Sequence, residues 1–598
     1  MDQKRLFLAI AISIAILLGF QWVIRPLLPA PPHPQIAART MAPQSGVNPA
    51  ESTSGGTPAE NTSGFTPAEG SPGAAAEAAA PTVPKNVPRL PIQGQRVEGS
   101  VSLLGARIDD IVLKDYRETL APDSPLVRLL EPRSDGQPYY VQYGWTAAPG
   151  ETVKLPDNDT LWTAAGEAVT AGHPATLSWD NGEGLTFKLE LSVDDDYMFT
   201  VHQAVVNATD KPVTLFPWSR IRRDYKPKVA GYYIQFEGMY GVFNGTLQET
   251  SYDKAKTEGD KKAGVAFEAT TTGGWAGITD KYWLTALVPD QTVPVKAEFR
   301  HLTEGGSDRY QVDFVAQDGQ TIAPGATTGH TSHMFSGAKI VTLLDHYESE
   351  YNIPNFDKAV DFGWFYFLTK PIFYCLDFLN SVLGNFGLAI IAFTIFVKAL
   401  FFPLANYSYR SMSKMKLLAP RVAQLREQYK DVPQKMQYEM MKLYKSEKVN
   451  PASGCLPILI QIPVFFALYK TIFVTIEMRQ APFYGWVHDL SAVDPTNVFN
   501  LFGLIPFDPT EISHFLHLGI WPLIMGVTMY LQQKLNPPPP DPVQAKIFQF
   551  MPIMFTFMLA SFPAGLVIYW TTNNFLSIVQ QWLIMRRTRL ARANLVRT

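Results

Sequence analysis

The chain has 598 residues, too many for one ordinary domain, so several structural units are expected. Its hydrophobic fraction of 46% averages a polar first half and a very apolar second half, and its net charge of −3 hides short, strongly basic loops. Only two cysteines occur, Cys375 and Cys455, both in the apolar half, which excludes a fold held together by a disulfide framework.

The N-terminus carries one apolar run. Leu6–Ile24 is an uncharged stretch of 19 residues that follows Lys4 and Arg5. About 20 residues cross the hydrocarbon layer, whereas the apolar part of a cleaved signal peptide has about 7–15 and ends at a small-residue cleavage site. The length favours an uncleaved transmembrane anchor over residues 1–25, with the basic N-terminus in the cytoplasm.

The next segment, residues 26–90, consists mostly of Pro, Ala, Gly, Ser and Thr, and Thr57–Glu60 recurs as Thr66–Glu69. Such a composition buries too little apolar surface to offset the entropy of ordering the chain. It therefore predicts a flexible tether.

Residues 91–350 have the alternating pattern of antiparallel β-structure. Apolar residues alternate with polar ones along 185–193, three aspartates interrupt, and the alternation resumes over 197–201. Residues 295–299 and 310–314 repeat the pattern around a polar turn. Many short strands joined by Gly-rich turns predict a large β-sandwich.

The apolar half begins with residues 351–385, which combine aromatic residues with charged ones and are expected to form an amphipathic helix at the membrane interface, interrupted at Pro371. A first core span is predicted over 386–404 and four more over 454–585. The five apolar segments are 386–404, 455–476, 515–531, 547–562 and 566–585.

The charges of the loops orient these segments. The stretch 405–454 holds ten Lys or Arg against four Asp or Glu, the loop 477–514 has one basic residue, and 586–598 holds five arginines and no acid. Because Lys and Arg mark the cytoplasmic side, both termini are predicted inside and the β domain in the periplasm. Residues 405–453, broken at Pro433, are predicted to form a cytoplasmic helical hairpin, and 586–598 a basic cytoplasmic tail.

Lys398 is the most informative single residue, because a lysine at the centre of a span costs roughly 2.5–3.5 kcal/mol. It lies six residues before Leu404, about 9 Å from the end of the segment at about 1.5 Å per residue, so its side chain could snorkel to the interface. Thr394 lies one helical turn away on the same face and favours a functional polar stripe. For Lys470, near the periplasmic end of the next segment, snorkelling is the better interpretation.

The last segment has polar residues at helical spacing. Trp570, Asn574, Ser577 and Gln581 share one face, and Tyr569, Asn573 and Gln580 lie beside it. Gln461 lies in the apolar segment 455–476. One interpretation is helix–helix hydrogen bonding. The other is a water-filled cavity lined by Lys398, Thr394, Gln461 and the last segment, since converging polar groups in a membrane mark a substrate path.

Enzyme and cofactor motifs were sought as well. The sequence has no phosphate-binding glycine loop, no Gly-x-Ser-x-Gly and no His-Glu-x-x-His, so neither catalysis nor a cofactor is predicted. His330 and His333 are interpreted as incidental to a β segment, and no metal site is predicted.

Three stretches resemble one known family. They are Lys445–Tyr469, which contains Asn-Pro-Ala-Ser-Gly-Cys-Leu-Pro, the segment Glu477–Ser491, and Phe562–Trp570 with Asn574–Gln581. They are similar to the YidC family of membrane protein insertases, of the Gram-negative type with a large periplasmic domain. The similarity in layout extends over the whole chain.

The resemblance implies the fold and the mechanism. It implies an α-helical inner-membrane protein with a five-helix insertase core plus an N-terminal anchor helix, and with a large periplasmic antiparallel β-sandwich domain. The implied core encloses a hydrophilic groove in which a basic residue attracts acidic segments of the substrate. The positions that match the groove or contact the substrate are Lys398, Thr394, Gln461, Tyr569, Trp570 and Asn574.

The resemblance also implies partners. These are nascent membrane proteins, the Sec translocon, membrane lipids, and the ribosome through the basic hairpin and tail; DNA is not expected. The sequence departs from the Gram-negative pattern in two places. Lysine rather than arginine stands at position 398, and the loop 500–514 is longer than usual.

Two other classes of protein were weighed. A secondary transporter or channel, in which Lys398 gates an ion, would show two related halves, and the sequence has no such repeat. A membrane-anchored periplasmic sugar-binding or cell-wall protein would explain the β domain but not five further apolar segments beside a basic hairpin. The insertase is therefore the predicted function.

Overall fold

The computed structural model describes residues 86–228, 235–450, 456–513, 516–536 and 542–597, which belong to one compact unit, Pro67–Thr598. The predicted N-terminal anchor and nearly all of the predicted tether lie outside the described residues, as does Cys455. Strands make up the first part of the described chain and helices the second.

The β domain is built from two antiparallel sheets. The first has the order β1-β2-β3-β5-β10-β17-β16-β13, with β4 beside β3 and β18 beside β10, and the second has the order β12-β11-β14-β15-β19-β9-β8-β7-β6. In chain order, the strands are β1 (Arg89–Gln93), β2 (Val97–Ser102), β3 (Arg107–Arg117), β4 (Leu126–Leu130), β5 (Tyr139–Ala147), β6 (Thr163–Ala165), β7 (Ala175–Asp180), β8 (Leu185–Val193), β9 (Met198–Asn207), β10 (Val213–Arg223), β11 (Gly238–Phe243), β12 (Thr246–Ser251), β13 (Val265–Thr272), β14 (Trp275–Thr279), β15 (Trp283–Val288), β16 (Pro294–Glu304), β17 (Ser307–Ala316), β18 (Gln320–Ile322) and β19 (Thr327–Ala338).

The two sheets pack face to face through apolar side chains that alternate along each strand. In β8 the inward residues are buried and the intervening residues are more exposed, as the alternation predicts. Its hairpin partner is β9, in the register Leu185↔Asn207 to Val193↔Phe199. The rings of Trp145 in the first sheet and Phe187 in the second lie 5.1 Å apart. The predicted β-sandwich is therefore confirmed.

Ten α-helices occur in the part of the chain that the structure describes. In chain order they are α1 (Tyr252–Gly259), α2 (Val341–Glu350), α3 (Tyr366–Leu383), α4 (Phe386–Leu400), α5 (Phe402–Gln428), α6 (Pro433–Ser446), α7 (Leu456–Val474), α8 (Ile520–Leu535), α9 (Pro542–Leu559) and α10 (Ala564–Arg597). Short 3₁₀ turns cover Phe356–Ala359, Ile476–Met478, Val498–Gly503 and Pro509–Glu511.

The helices refine three predicted boundaries. Helix α3 continues through Pro371, so the expected interruption is wrong; the proline is the sixth residue of the helix, and it removes only one backbone donor. Helix α4 ends at Leu400, and Pro403 lies in the first turn of α5. Helix α8 begins at Ile520, where the side chain of Asp494 accepts a hydrogen bond from the Trp521 amide at 2.8 Å.

Within the described ranges, no helix taken singly is long and apolar enough to cross a membrane. Helices α4 and α5 meet the criteria as a pair, with a bend of 67° between them.

Polar contacts join the β domain to the helices. The Arg479 guanidinium donates hydrogen bonds to the carbonyls of Arg117 at 2.6 Å and Glu118 at 3.1 Å, and it lies over the Trp283 ring. The Lys281 ammonium lies 3.7 Å from the centroid of the Phe473 ring at the end of α7. These contacts place the β domain against one end of the helical part of the chain.

Candidate substrate groove in the helical domain

Lys398 joins α4 to α10, the last described helix. Helix α4 begins at the cap residue Asn385, whose side chain accepts a hydrogen bond from the Leu388 amide at 3.1 Å. Lys398 lies in the last turn of α4, half-buried, and its Nζ donates a hydrogen bond to Ser577 Oγ of α10 at 2.7 Å. Ser577 Oγ in turn donates to the carbonyl of Asn573 at 2.7 Å. The lysine thus meets the polar face of α10.

Gln461 of α7 contacts the same polar face of α10, about one helical turn closer to the N-terminus of α10. Its Nε2 donates to the Tyr569 hydroxyl at 3.3 Å and to Oδ1 of Asn573. Tyr569, Asn573 and Ser577 are each less than 10% exposed. Asn573 therefore links the Gln461 contact to the Lys398 contact, and the three helices α4, α7 and α10 share one polar network.

Two other predicted residues lie outside this network. Thr394 is 1% exposed, and its hydroxyl donates to the Ile390 carbonyl of its own helix at 2.7 Å. Asn574 contacts a different helix, with its Nδ2 donating to Thr528 Oγ1 of α8 at 3.4 Å. Both side chains are buried, and each donates a hydrogen bond outside the network.

Trp570 contributes an aromatic contact. Its ring centroid lies 4.5 Å from that of Phe465 on α7 and 5.9 Å from that of Phe555 on α9. Such edge-on pairs add to the apolar area that packing buries. Trp570 therefore ties α7, α9 and α10 together beside the network.

A small cavity lies next to Lys398. Its volume is about 40 Å³, and Gln461 and Tyr409 are among its lining residues. Since one water molecule occupies about 30 Å³ in the liquid, the cavity has room for roughly one. Its lining residues come from α4, α5 and α7 and the junction between α4 and α5.

Sequence reasoning missed the central role of two residues. The sequence places Asn573 and Ser577 among the polar residues of the last segment. The predicted groove residues, however, include Asn574 and neither of these two. Their spacing of four residues, one helical turn, was the available signal. Choosing between Asn573 and Asn574 required knowing which helix lies opposite each.

The relatives of this chain decide its family. The family model for the YidC periplasmic domain matches residues 89–375, and the model for the 60Kd inner membrane protein matches residues 378–591. The membrane protein insertase YidC of Granulibacter bethesdensis is 59% identical over 598 residues, covering 100% of both chains. That of Acidiphilium cryptum is 53% identical, covering 99% of this chain and 98% of the relative. The chain belongs to the YidC family.

The family settles the general function. The chain is a membrane protein insertase of the inner membrane, and its β-sandwich is the YidC periplasmic domain. The predicted family, the β-sandwich followed by a helical core, and the insertase function are confirmed, whereas the number of spans and the groove stay predictions. A crystal structure described as an active YidC insertase with the first transmembrane domain resolved is also similar, with 17% identity, a TM-score of 0.34 and coverage of 83% of this chain and 93% of that one.

One group of carboxylates in this YidC-family chain has the spacing of a metal site. Asp345, Glu348 and Asp357 bring carboxylate oxygens within 4.8 Å of one another. The Lys370 ammonium contacts two of them, Asp345 at 2.8 Å and Asp357 at 2.5 Å. A cation of the protein itself therefore already pairs with two of the three carboxylates.

Proposed function

We propose that the network around Lys398 is the charged centre of an intramembrane groove through which the insertase receives its substrates. The hydrogen bond from Lys398 to Ser577 is the observation that carries the proposal, because it places a cation against the polar face of α10. In a medium of low dielectric constant, a cation attracts a carboxylate far more strongly than in water. A short acidic segment of a nascent membrane protein would replace Ser577 as the partner of the lysine.

The topology proposed for this function has six spans. Helices α4, α7, α8, α9 and α10 form the core, the N-terminal segment is an anchor, and both termini lie in the cytoplasm. The loop charges support this orientation. Labelling of a single cysteine introduced at Lys430 of the α5–α6 hairpin tests it: reagent added from the periplasmic side should not reach the position, and efficient labelling would contradict the topology.

The proposed partners follow from the same arrangement. The ribosome would contact the α5–α6 hairpin and the basic end of α10, since lysine and arginine neutralise RNA phosphates. The Sec translocon would cooperate with the insertase on some substrates, and lipids would surround the core.

Photocrosslinking to a stalled nascent chain tests the groove. A photoreactive residue at Gln461 or Trp570 should crosslink to the nascent segment. Phe575 is a matched control, because it is 58% exposed and lies two residues, about 200° around the helix, from Ser577. Equal crosslinking from all three positions, or none from Gln461 and Trp570, would contradict the proposal.

A further inference from the structure

A second and much larger cavity lies between the β domain and the helices. Its volume is about 750 Å³, and its walls come from β11, β12, residues 358–366 and the end of α7. Lys470 of α7 lines it, nine residues beyond Gln461, which is about 14 Å along the helix. The cavity is therefore distinct from the proposed groove. Lys470, for which the sequence suggested snorkelling, lies in its wall.

A fixed ion pair forms one wall of this cavity. Lys470 Nζ lies 2.9 Å from Asp361 Oδ2, which also accepts a hydrogen bond from the Phe236 amide at 2.9 Å. Asp361 Oδ1 accepts from the Gly363 amide at 3.0 Å. Gly363 has φ +71°, and a Cβ there would come within 3.2 Å of Lys470 Cε. The backbone thus holds the carboxylate in place and leaves room for the lysine.

The other charged lining residues are one cation and one anion. Lys358 and Glu249 complete the set with Lys470 and Asp361, so the lining carries two positive and two negative groups. The net charge of the lining is zero, and both signs are present. An anionic ligand would therefore leave two carboxylates opposed to it, whereas a zwitterion finds a partner for each of its charges.

Exposed aromatic side chains surround the cavity. Trp364 is 98% exposed, Phe365 40% and Phe466 49%. Tryptophan is enriched where an apolar medium meets a polar one, at the headgroup level of membranes. In an inner-membrane protein with a periplasmic β domain, the end of α7 beside that domain is the level at which periplasmic headgroups lie.

We propose that this cavity binds the headgroup of a zwitterionic phospholipid that carries a primary amine, of the phosphatidylethanolamine class. Its phosphate pairs with the Lys358 and Lys470 ammonium groups, and its amine donates hydrogen bonds to Glu249 and Asp361. A quaternary ammonium has no proton to donate, so the carboxylates select the primary amine. The acyl chains leave the cavity along Phe365 and Phe466.

Fluorescence quenching by brominated lipids tests this site in the full-length protein. The protein is placed in lipid nanodiscs that contain equal, small fractions of phosphatidylethanolamine, phosphatidylcholine or phosphatidylglycerol with brominated acyl chains. Subtracting the spectrum of Trp364→Phe isolates the signal of Trp364. We expect brominated phosphatidylethanolamine to quench Trp364 several-fold more than either of the other two lipids.

Variants of the charged lining should remove that preference. Lys358→Glu and the milder Glu249→Gln should each lower quenching by phosphatidylethanolamine to the level of the other lipids. Lys188→Glu, at an exposed lysine of β8, is the matched control and should leave the preference intact. Thermal melting of each variant shows whether it is folded, and Glu249→Gln introduces no new charge.

Four results would overturn the proposal. Equal quenching by the three headgroups would indicate ordinary surrounding lipid, and no quenching would place Trp364 outside the bilayer. Competition by soluble phosphoethanolamine at the concentration of the lipid would identify a soluble ligand. If a photoreactive residue at position 364 crosslinked to a nascent chain and Trp364 showed no preference among the lipids, the cavity would be a protein site. None of these readouts depends on Lys398, so they are separate from the test of the groove.

Discussion

The Lys398 ammonium and the Ser577 hydroxyl meet at 2.7 Å although 179 residues separate them in the chain. The lysine therefore does not simply extend to the nearest interface, because its polar end turns toward the interior of the helical domain. Because a hydroxyl is neutral, this hydrogen bond does not balance the positive charge of the lysine. A cation in this state can exchange the hydroxyl for a carboxylate.

The first prediction concerns substitutions at Lys398. Lys398→Arg should retain activity, Lys398→Ala should be impaired for substrates with an acidic leading segment, and Lys398→Glu should be the most impaired because it repels that segment. If the lysine only snorkelled, alanine would be neutral or stabilising, since the insertion cost of the charge would be gone. The measurement is insertion of matched substrates that differ only in their acidic residues.

Ser577→Ala separates attraction of the substrate from positioning of the lysine. It removes the hydroxyl and keeps the charge, so insertion of acidic substrates should fall much less than with Lys398→Ala. Insertase levels are checked by blot. Equal insertion by Lys398→Ala and the parent, with both substrates, would end the electrostatic explanation of this site.

The second prediction concerns Lys370, which joins α2, the turn Phe356–Ala359 and α3. Burial raises the pKa of Asp357, but hydrogen bonds from Lys370 and Tyr366 outweigh it and bring that pKa below its usual value. Lys370→Met leaves the Asp357 carboxylate, 6% exposed, without its cation. The free energy of unfolding should fall by about 3 kcal/mol, the low end for a broken buried ion pair.

The pH dependence of this variant gives a second measurement. A carboxylate with a depressed pKa stabilises the folded state above its unfolded pKa and loses that contribution as the pH falls. The difference in melting temperature between Lys370→Met and the parent should therefore shrink as the pH falls below about 3.9, the pKa of an aspartate in an unfolded chain. Lys261→Met, which removes an exposed ion pair with Glu258, should change little. A difference that does not change with pH would contradict the assignment.

The third prediction concerns which part of the β domain can be removed. Deletion of Val97–Lys339 keeps α2, so Lys370 retains Asp345 and the Val341 amide still donates to Glu477 Oε1 at 3.0 Å. Insertion should survive this deletion. Extending the deletion through Asp357 removes both contacts and should abolish insertion. Equal complementation by the two deletions, with equal protein levels, would refute the boundary.

Local patterns made the β domain predictable. The alternation along β8 and β9 depends on neighbours in the sequence, and it predicted the hairpin that the structure shows. The continuity of α3 through Pro371 was not predictable in this way, because packing against other elements offsets the one hydrogen bond that the proline removes. The predicted membrane spans stay predictions.

Pairings across long stretches of sequence were not predictable either. Lys398 and Lys470 stood out as charges in apolar segments, but their partners Ser577 and Asp361 lie 179 and 109 residues away. Nothing in the local spacing distinguishes these partners from neighbouring polar residues. The sequence thus identified the residues whose charges are unfavourable in a membrane. Their contacts depend on the fold.

The fourth prediction concerns the basic end of α10. The helix continues to Arg597, so the arginines of 586–598 extend the last core helix. Phosphate contacts weaken as the salt concentration rises, because the counterions that the bound protein releases from the RNA then gain less entropy. Removing 586–598 should therefore reduce co-sedimentation with ribosomes at low salt, and the difference should vanish at high salt. Equal co-sedimentation of both chains at low salt would contradict ribosome contact through the tail.

The last prediction concerns Lys339, which is buried directly after β19 and contacts the end of β14. Its Nζ donates to Thr279 Oγ1 at 2.9 Å and to the Asp280 carbonyl at 2.8 Å, and burial lowers its pKa to about 8. An unfolded chain has a lysine pKa of about 10.4. Between these values the unfolded state binds more protons than the folded state. The free energy of unfolding should therefore rise with pH, by up to about 1.4 kcal/mol per unit.

Lys339→Met tests this directly. At pH 7.5 the variant should be more stable than the parent, because it no longer carries a buried charge, and its advantage should shrink toward pH 10 as the parent lysine loses its proton. Burial also lowers the pKa of Lys281 to about 8, so the difference between variant and parent at each pH is the quantity to measure. Urea unfolding followed by the β-sheet circular dichroism signal gives it, and Lys188→Met is the exposed control. Parallel curves for variant and parent from pH 7.5 to pH 10 would show that Lys339 keeps its ordinary pKa.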